Sequence, residues 1–227
     1  MRLILASTSP ARLSVLRGAG IEPACFAPEV DEDAEVRTRE AELGRALTAP
    51  ELTEYLGRLK AEDVVRRYGD EIAALGGGLV LGGDSMFLLG NEVLGKPHMP
   101  EIALERSKQH RGRTGVLHSG HWVIDCSGGS SPAPEVAELP AVGGVDTATV
   151  TLAADVTDGE LARYVATGEP LKLAGGFAID GLAGAFIEKI EGAPSCVMGL
   201  SLPELRRLVR DLGHDYTALW SGGSPLA

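Results

Sequence analysis

Arg2-Leu3-Ile4-Leu5-Ala6-Ser7-Thr8-Ser9-Pro10-Ala11-Arg12 is the stretch that decides the fold class of this chain. Residues 2–6, apolar from Leu3 onward, read as one short buried strand, and Ser7-Thr8-Ser9 turns out of it. Ser9 is placed to cap a helix that begins at Pro10, because proline lacks an N–H that the first helical turn leaves unpaired anyway. Leu13, Val15 and Leu16 give that helix an apolar face, and Gly18 and Gly20 end it. Strand, turn and helix in this order open an α/β domain.

The alternation continues along the chain. Ala24–Pro28 reads as a second strand running into the acidic segment Glu29–Glu35, where an extended backbone would point Glu32 away from Asp31 and Asp33. Residues 38–68 read as helical with an interruption near Pro50, since Leu52, Leu56, Leu59 and Val64 or Val65 recur at helical spacing. Gly76-Gly77-Gly78 marks a loop before the strand Leu79–Gly83, and a hairpin through Gly90-Asn91 follows. Next come a helix at Glu101–His110 and a long strand at Gly115–Asp125. A strand at Thr147–Ala154, a helix at Asp158–Thr167, a glycine-rich stretch with short strands at Ala174–Ile190 and a helix at Leu202–Leu212 complete the order. Cys126–Gly144 (126–146 at its widest) is rich in Gly, Ser and Pro and reads as a flexible surface insertion. Residues 214–227 read as a disordered tail. Hairpins among alternating strands and helices imply a mixed sheet.

A length of 227 residues accommodates one large domain or two small lobes sharing a cleft. The net charge of −11 argues against binding to nucleic acid or to an anionic membrane. Cys25, Cys126 and Cys196 match neither a disulfide framework nor a zinc pattern, which suits a reducing cytosol. The apolar start is too short for a signal peptide, and no later run has the length of a bilayer span, so a soluble cytoplasmic protein is expected. An acidic chain that takes an anionic ligand needs a local basic pocket, a divalent cation, or both. Lysine occurs only at 60, 96, 108, 172 and 189, so the placement of each one is informative.

Five constellations carry candidate chemistry. The helix start at Ser7–Arg12 offers unpaired N–H groups, hydroxyls and a guanidinium, all suited to phosphate. An ordinary N-cap with a solvated arginine accounts for the same residues. Asp84 closes the buried strand in Gly82-Gly83-Asp84-Ser85, at the end of a strand where α/β proteins gather ligands. There it is either a metal ligand or base or a turn aspartate. Lys96, fixed between Gly95 and Pro97, and Lys60, on the apolar half of a helix, read equally as ligand contacts and as a solvated turn and a snorkelling side chain. Asp31-Glu32-Asp33 reads as an acidic loop with Glu32 singled out by alternation.

Taken in order, Ser7-x-Ser9-Pro10-x-Arg12, Val30-Asp31-Glu32, Lys60-Ala61, Gly82-Gly83-Asp84-Ser85 and Leu94-Gly95-Lys96-Pro97 resemble the Maf family. So do Tyr164-Val165-Ala166-Thr167-Gly168-Glu169-Pro170, Ala174-Gly175-Gly176-Phe177-Ala178-Ile179-Asp180-Gly181, Ile190-Glu191-Gly192 and Val197–Leu202. The resemblance runs from about residue 3 to 213. It implies a nucleoside triphosphate pyrophosphatase with the elongated, mixed-sheet fold shared with inosine-triphosphatase-like proteins, its substrate in a central groove between two lobes. It implies Asp84 as general base, Glu32 as a carboxylate for metal and water, and Ser7, Arg12, Lys60 and Lys96 as phosphate contacts. It also implies a divalent metal cation, Mg²⁺ or Mn²⁺, held by Glu32 and Asp84.

The chain departs from the family's pattern at Ala11, Ser85 and Asp180, positions associated with base choice. Family members pair as dimers, and the apolar Val197–Leu202 segment would support a homodimer, although a buried core explains those residues equally well. The competing readings are a non-enzymatic, nucleotide-sensing regulator of cell division or septum formation, and a nucleotidyltransferase, for which no acceptor site is evident.

Overall fold

The computed structural model describes residues 1–128 and 135–221. Among them are seven strands and seven helices, in the order β1 (Leu3–Ala6), α1 (Pro10–Gly18), β2 (Ala24–Phe26), α2 (Glu32–Leu43), α3 (Ala49–Ala74), β3 (Leu79–Leu89), β4 (Glu92–Val93). There follow α4 (Pro100–His110), β5 (Thr114–Asp125), β6 (Ala141–Leu152), α5 (Asp158–Ala166), β7 (Ile187–Glu191), α6 (Pro194–Val197) and α7 (Leu202–Asp211). The sheet has the order β2-β1-β3-β5-β6-β7, with β4 paired to β3. β1 is parallel to β2 and to β3, while β4 and β7 are antiparallel to β3 and β6. The expected mixed α/β sheet is what forms. No helix among the described residues is long and apolar enough to cross a membrane.

The chain divides into two compact units. One comprises Met1–Asp84, Gly120–Val145 and Leu202–Ala227; the other comprises Ser85–Ser119 and Asp146–Ser201. Strands β3, β5 and β6 contribute residues to both.

In the first unit, all four residues of β1 are buried, which is why it reads as an unbroken apolar run. Ile4, Ala6, Val80 and Ile124 of the sheet pack with Ala61, Val64, Val65 and Ile72 of α3. The helix lies against the sheet at backbone distance because glycines meet there. A Cβ on Gly82 would fall onto the Gly57 carbonyl oxygen, and one on Gly120 onto the backbone of Thr53 and Glu54. A Cβ on Gly57 would stand 3.3 Å from Gly83 Cα.

In the second unit, Phe87, His110 and Phe177 form an aromatic cluster, Phe87 lying 5.1 Å from each of the other two rings. His110 is 2% exposed, and its Nε2 donates to the Val150 carbonyl at 3.1 Å, since a carbonyl can only accept. Cys196 and Leu200 are buried, and Val197, partly buried, packs on the same core as Phe87 and Phe177.

Several boundaries differ from the sequence reading. The interruption expected near Pro50 is present, just before it, and Pro50 itself stands in the first turn of α3, where its missing N–H costs nothing. The Thr48 backbone N–H donates to the Glu51 carboxylate at 2.9 Å, and the real break lies between Gly44, at φ 66°, and that cap. The helix then continues past residue 68 to Ala74, bending at Tyr68. Over Ala174–Ile190 the expected short strands are mostly 3-10 turns, at Ala174–Gly176 and Leu182–Phe186. Gly175 and Gly176 sit at φ 74° and 73°, which a strand does not allow.

β6 starts at Ala141, inside the stretch read as an insertion. Its Gly143 and Gly144 signal no loop: the side chains of Trp122 and Glu54, and of Glu204 and Arg207, occupy the space their Cβ atoms would need. The rest of the expected insertion includes residues 129–134, which lie outside the described residues. The expected tail from 214 is placed as far as Ser221, with Leu219 buried and the Ser221 N–H donating to Gly20 O at 2.8 Å. Residues 222–227 lie outside the described residues.

The seam predicts opposite results for two glycine-to-alanine changes. Gly82→Ala should destabilise the protein by about 1–3 kcal/mol, the usual cost of overpacking. Gly18→Ala, whose Cβ meets nothing within 4 Å, should be neutral or stabilising by up to ~1 kcal/mol. Urea unfolding of the two variants checks both signs.

Candidate active site

Six of the residues picked from the sequence lie in the first unit, and the structure gathers them. Asp84 is the last residue of that unit on β3, just beyond the glycine pair that admits α3. Because Gly82 and Gly83 have no side chains, Lys60 on the facing side of α3 reaches the carboxylate. Its Nζ donates to Asp84 Oδ1 at 2.7 Å and stands 2.9 Å from Glu32 Oε1. The Lys60 and Asp84 side chains are 11% and 19% exposed, and Glu32 is more open at 44%. One ammonium therefore bridges two carboxylates that come from different parts of the chain.

Glu32 arrives there on a helix, not on an extended strand. Asp31 caps α2, its Oδ1 accepting from the Ala34 N–H at 3.0 Å, and Glu32 is the first helical residue. The sequence expectation of alternation along an extended chain fails here, because an Asp followed by an acidic first turn is itself a helix start that favours negative charge.

Ser7 and Arg12 flank the N-terminus of α1. Ser9 caps that helix, its Oγ accepting from the Arg12 N–H at 3.4 Å, with Pro10 in the first turn. Ser7 Oγ accepts from the Ser9 N–H at 3.1 Å and from Arg12 Nη1 at 3.2 Å. Both bonds use its lone pairs, so its own O–H is left to donate. Arg12 is half-buried beside Gly83, whose built Cβ would lie 3.6 Å from Arg12 Nε. Burial pulls the Arg12 pKa down, and the charges of Asp84 and Glu32 push it back up. A guanidinium begins so far above neutrality that Arg12 stays a cation. Ala11 precedes it on α1, half-buried.

The remaining candidates belong to the second unit. Lys96 is exposed, and among the described residues no hydrogen bond or ion pair engages it. Its loop is pinned on both sides: Arg106 donates to Gly95 O at 2.8 Å, and the His98 N–H to Leu171 O at 3.0 Å. Ser85 shares a hydrogen bond with Ser119 Oγ at 3.0 Å and donates to Gly199 O at 3.3 Å. Asp180 is exposed on a turn. That turn leads into residues 182 and 183, whose N–H groups donate to the Glu169 carboxylate at 3.0 and 3.4 Å.

The sequence reading missed the residues that hold Glu32 in place. Asp63 and Arg67 sit three and seven positions after Lys60, on the same face of α3. Asp63 Oδ2 accepts from the Glu29 N–H at 2.8 Å, and Arg67 pairs with the Glu29 carboxylate at 2.7 Å. Arg67 also donates to Ala27 O at 3.4 Å, and Tyr68 stacks at 4.8 Å on Phe26. The helix thus grips residues 26–32 turn by turn, ending at the Lys60–Glu32 pair. The spacing 60, 63, 67 was the available signal, hidden by the abundance of charges on this helix.

Among the described residues no group of three or more His, Cys, Asp or Glu side chains is placed to hold a metal ion. Glu32 and Asp84 alone suit a hard cation that takes most of its oxygen ligands from substrate phosphates and water, as Mg²⁺ does.

A carboxylate pair, an ammonium, a guanidinium and a helix N-terminus on one α/β unit are groups of the kind that phosphate chemistry uses. The pattern of the Maf-like protein family matches residues 2–212. The chain is 52% identical to a nucleoside triphosphate pyrophosphatase of Leifsonia xyli subsp. xyli, covering 97% of each chain. Proteins of the same description from Salinispora tropica and Thermosynechococcus vestitus are 45% and 43% identical, over 99% and 93% of this chain and 89% and 93% of theirs. The chain belongs to the Maf family.

The grip on residues 26–32 has a measurable strength. Asp63→Ala should lower the unfolding free energy by about 1–2 kcal/mol, as a charge-assisted hydrogen bond is lost. Arg67→Ala should cost less than Asp63→Ala, its partner Glu29 being largely exposed. Urea titrations measure both, and amide exchange at Glu29 should accelerate in the Asp63 variant.

Proposed function

We infer that this protein hydrolyses a nucleoside triphosphate between its α and β phosphates, releasing a nucleoside monophosphate and pyrophosphate. The observation that supports it most is the Glu32–Lys60–Asp84 cluster beside Arg12 and the α1 N-terminus, in a chain that matches pyrophosphatases along nearly its whole length.

In this mechanism Asp84 orients a water in line with the α-phosphorus and takes its proton. The water oxygen bonds to the α-phosphorus as the bridging oxygen to the β-phosphorus departs. Arg12, Lys60 and Lys96 neutralise the charge that accumulates on the leaving pyrophosphate. The Ser7 hydroxyl and the first N–H groups of α1 donate to phosphate oxygens. Glu32 and Asp84 would hold the divalent cation, Mg²⁺ or Mn²⁺, which supplies polarisation of the phosphates when bound.

Asp180 is the base reader in this proposal. An ionised carboxylate only accepts hydrogen bonds, so it favours a base edge with adjacent donors, such as N1–H and the 2-amino group of guanine. Ala11 leaves room for a purine, and the Ser85 hydroxyl, engaged with Ser119 and Gly199, acts on base choice by shaping the strand.

Two measurements test these roles. Asp84→Asn keeps the shape but removes the base, so pyrophosphate release should fall by ~10²-fold or more with folding intact. Undiminished turnover would overturn the assignment, and no pyrophosphate from any triphosphate would return the protein to the regulatory reading. For the base, kcat/KM for GTP should exceed that for UTP and dTTP, and Asp180→Gln should reorder the ranking. A ranking that the substitution leaves unchanged would remove Asp180 from the role.

A further inference from the structure

The Lys60 ammonium stands where two carboxylates converge, 2.7 Å from Asp84 and 2.9 Å from Glu32, with little of the lysine side chain exposed. Two carboxylates this close to one cation repel each other unless a positive charge lies between them, and Lys60 supplies it from within the chain. The same position, between the same oxygens, is the one a hard divalent cation needs. Both cannot occupy it.

A lysine suits an exchange of this kind. Its charge is compact and sits on a flexible four-carbon stem, so the ammonium can move without the helix moving. The groups able to draw it away are the phosphates of a nucleotide. They offer the ammonium new oxygen partners and bring with them the remaining ligands that two carboxylates lack. Arg12 differs: its guanidinium is anchored on Ser7 at 3.2 Å, and it stays in place as a phosphate contact.

We propose that Lys60 is the resident cation of the Glu32–Asp84 pair, keeping the divalent-cation position closed until a nucleotide's phosphates draw its ammonium away. The inference rests on the reading of Glu32 and Asp84 as the metal-holding carboxylates. It makes the metal–nucleotide complex, and not the free ion, the species the protein takes up. The exchange protects the nucleotide-free protein from charging its site with whichever divalent ion is abundant. Nucleotide and metal then help each other to the same degree, as linkage requires.

The test is a titration of Mn²⁺ alone into the nucleotide-free, full-length protein, with free Mn²⁺ read by electron paramagnetic resonance. Wild type should bind weakly, and Lys60→Met should bind at least ~10-fold more tightly, within the usual range of site coupling. Lys60→Arg, which keeps the charge, should stay at the wild-type level. So should the double variant Lys60→Met/Glu32→Gln, which gives up the second carboxylate. Arg66→Met, on the same helix but paired with Glu62, should show no gain, separating the effect from a general loss of positive charge. Lys60→Gln serves the same purpose should Lys60→Met fail to fold. Equal Mn²⁺ affinity in wild type and the folded Lys60 variants would overturn the proposal. Because no turnover is measured, that result leaves the pyrophosphatase reading intact, and a missing pyrophosphate signal leaves this one intact.

Discussion

Helix α3 meets the sheet at a distance that only bare backbone permits, and the chemistry of the first unit depends on that approach. Gly57 on the helix and Gly82, Gly83 and Gly120 on β3 and β5 remove the side chains that would otherwise hold the layers apart. With the gap closed, a lysine stem of ordinary length reaches a carboxylate at the end of β3. It also meets a glutamate delivered by the start of α2. A helix set farther out, on ordinary side chains, would leave Lys60 in water and Asp84 and Glu32 without their shared cation.

The same helix carries the cationic residue of the cluster on one turn and the grip on residues 26–32 on the next two. Placing both on one rigid element fixes the separation of Glu32 from Asp84 without a loop having to hold it. Charge is handled just as locally. A chain of net charge −11 repels anions as a whole, but Arg12, Lys60 and the α1 N-terminus concentrate positive potential in one place.

Most of the element order was legible in the sequence because strands and helices here announce themselves by period and caps. β1 is an apolar run, α1 opens with Ser9-Pro10, and the hairpin turns at Gly90-Asn91. What the sequence concealed were the places where a residue's usual local meaning was overridden by its surroundings. Gly143 and Gly144 looked like a loop because their role as flat strand under Trp122 and Arg207 depends on residues far away in the chain. The break near Pro50 was legible, but its bounds, from Gly44 to the Thr48 cap, were not. Asp31-Glu32-Asp33 looked extended until its own capping chemistry was weighed. For the site, residue types were legible and their partners were not: nothing in the spacing of 32, 60 and 84 says that one ammonium would join them.

His110 has a consequence of another kind. Burial among Phe87 and Phe177 is the main reason its pKa lies below the ordinary 6.5, with Arg113 adding to the shift and the Val150 carbonyl opposing it. Loss of water lowers His118 in the same direction. Above about pH 6.5 both imidazoles are neutral whether the chain is folded or not, and their contribution to stability is whole. As the pH falls toward the folded values, the unfolded chain binds protons that the folded one refuses, and that contribution is lost. Unfolding near pH 6 is therefore also a proton uptake. The heat recorded by a calorimeter there includes the ionisation heat of the buffer that gives up those protons, and it changes when the buffer is changed at constant pH.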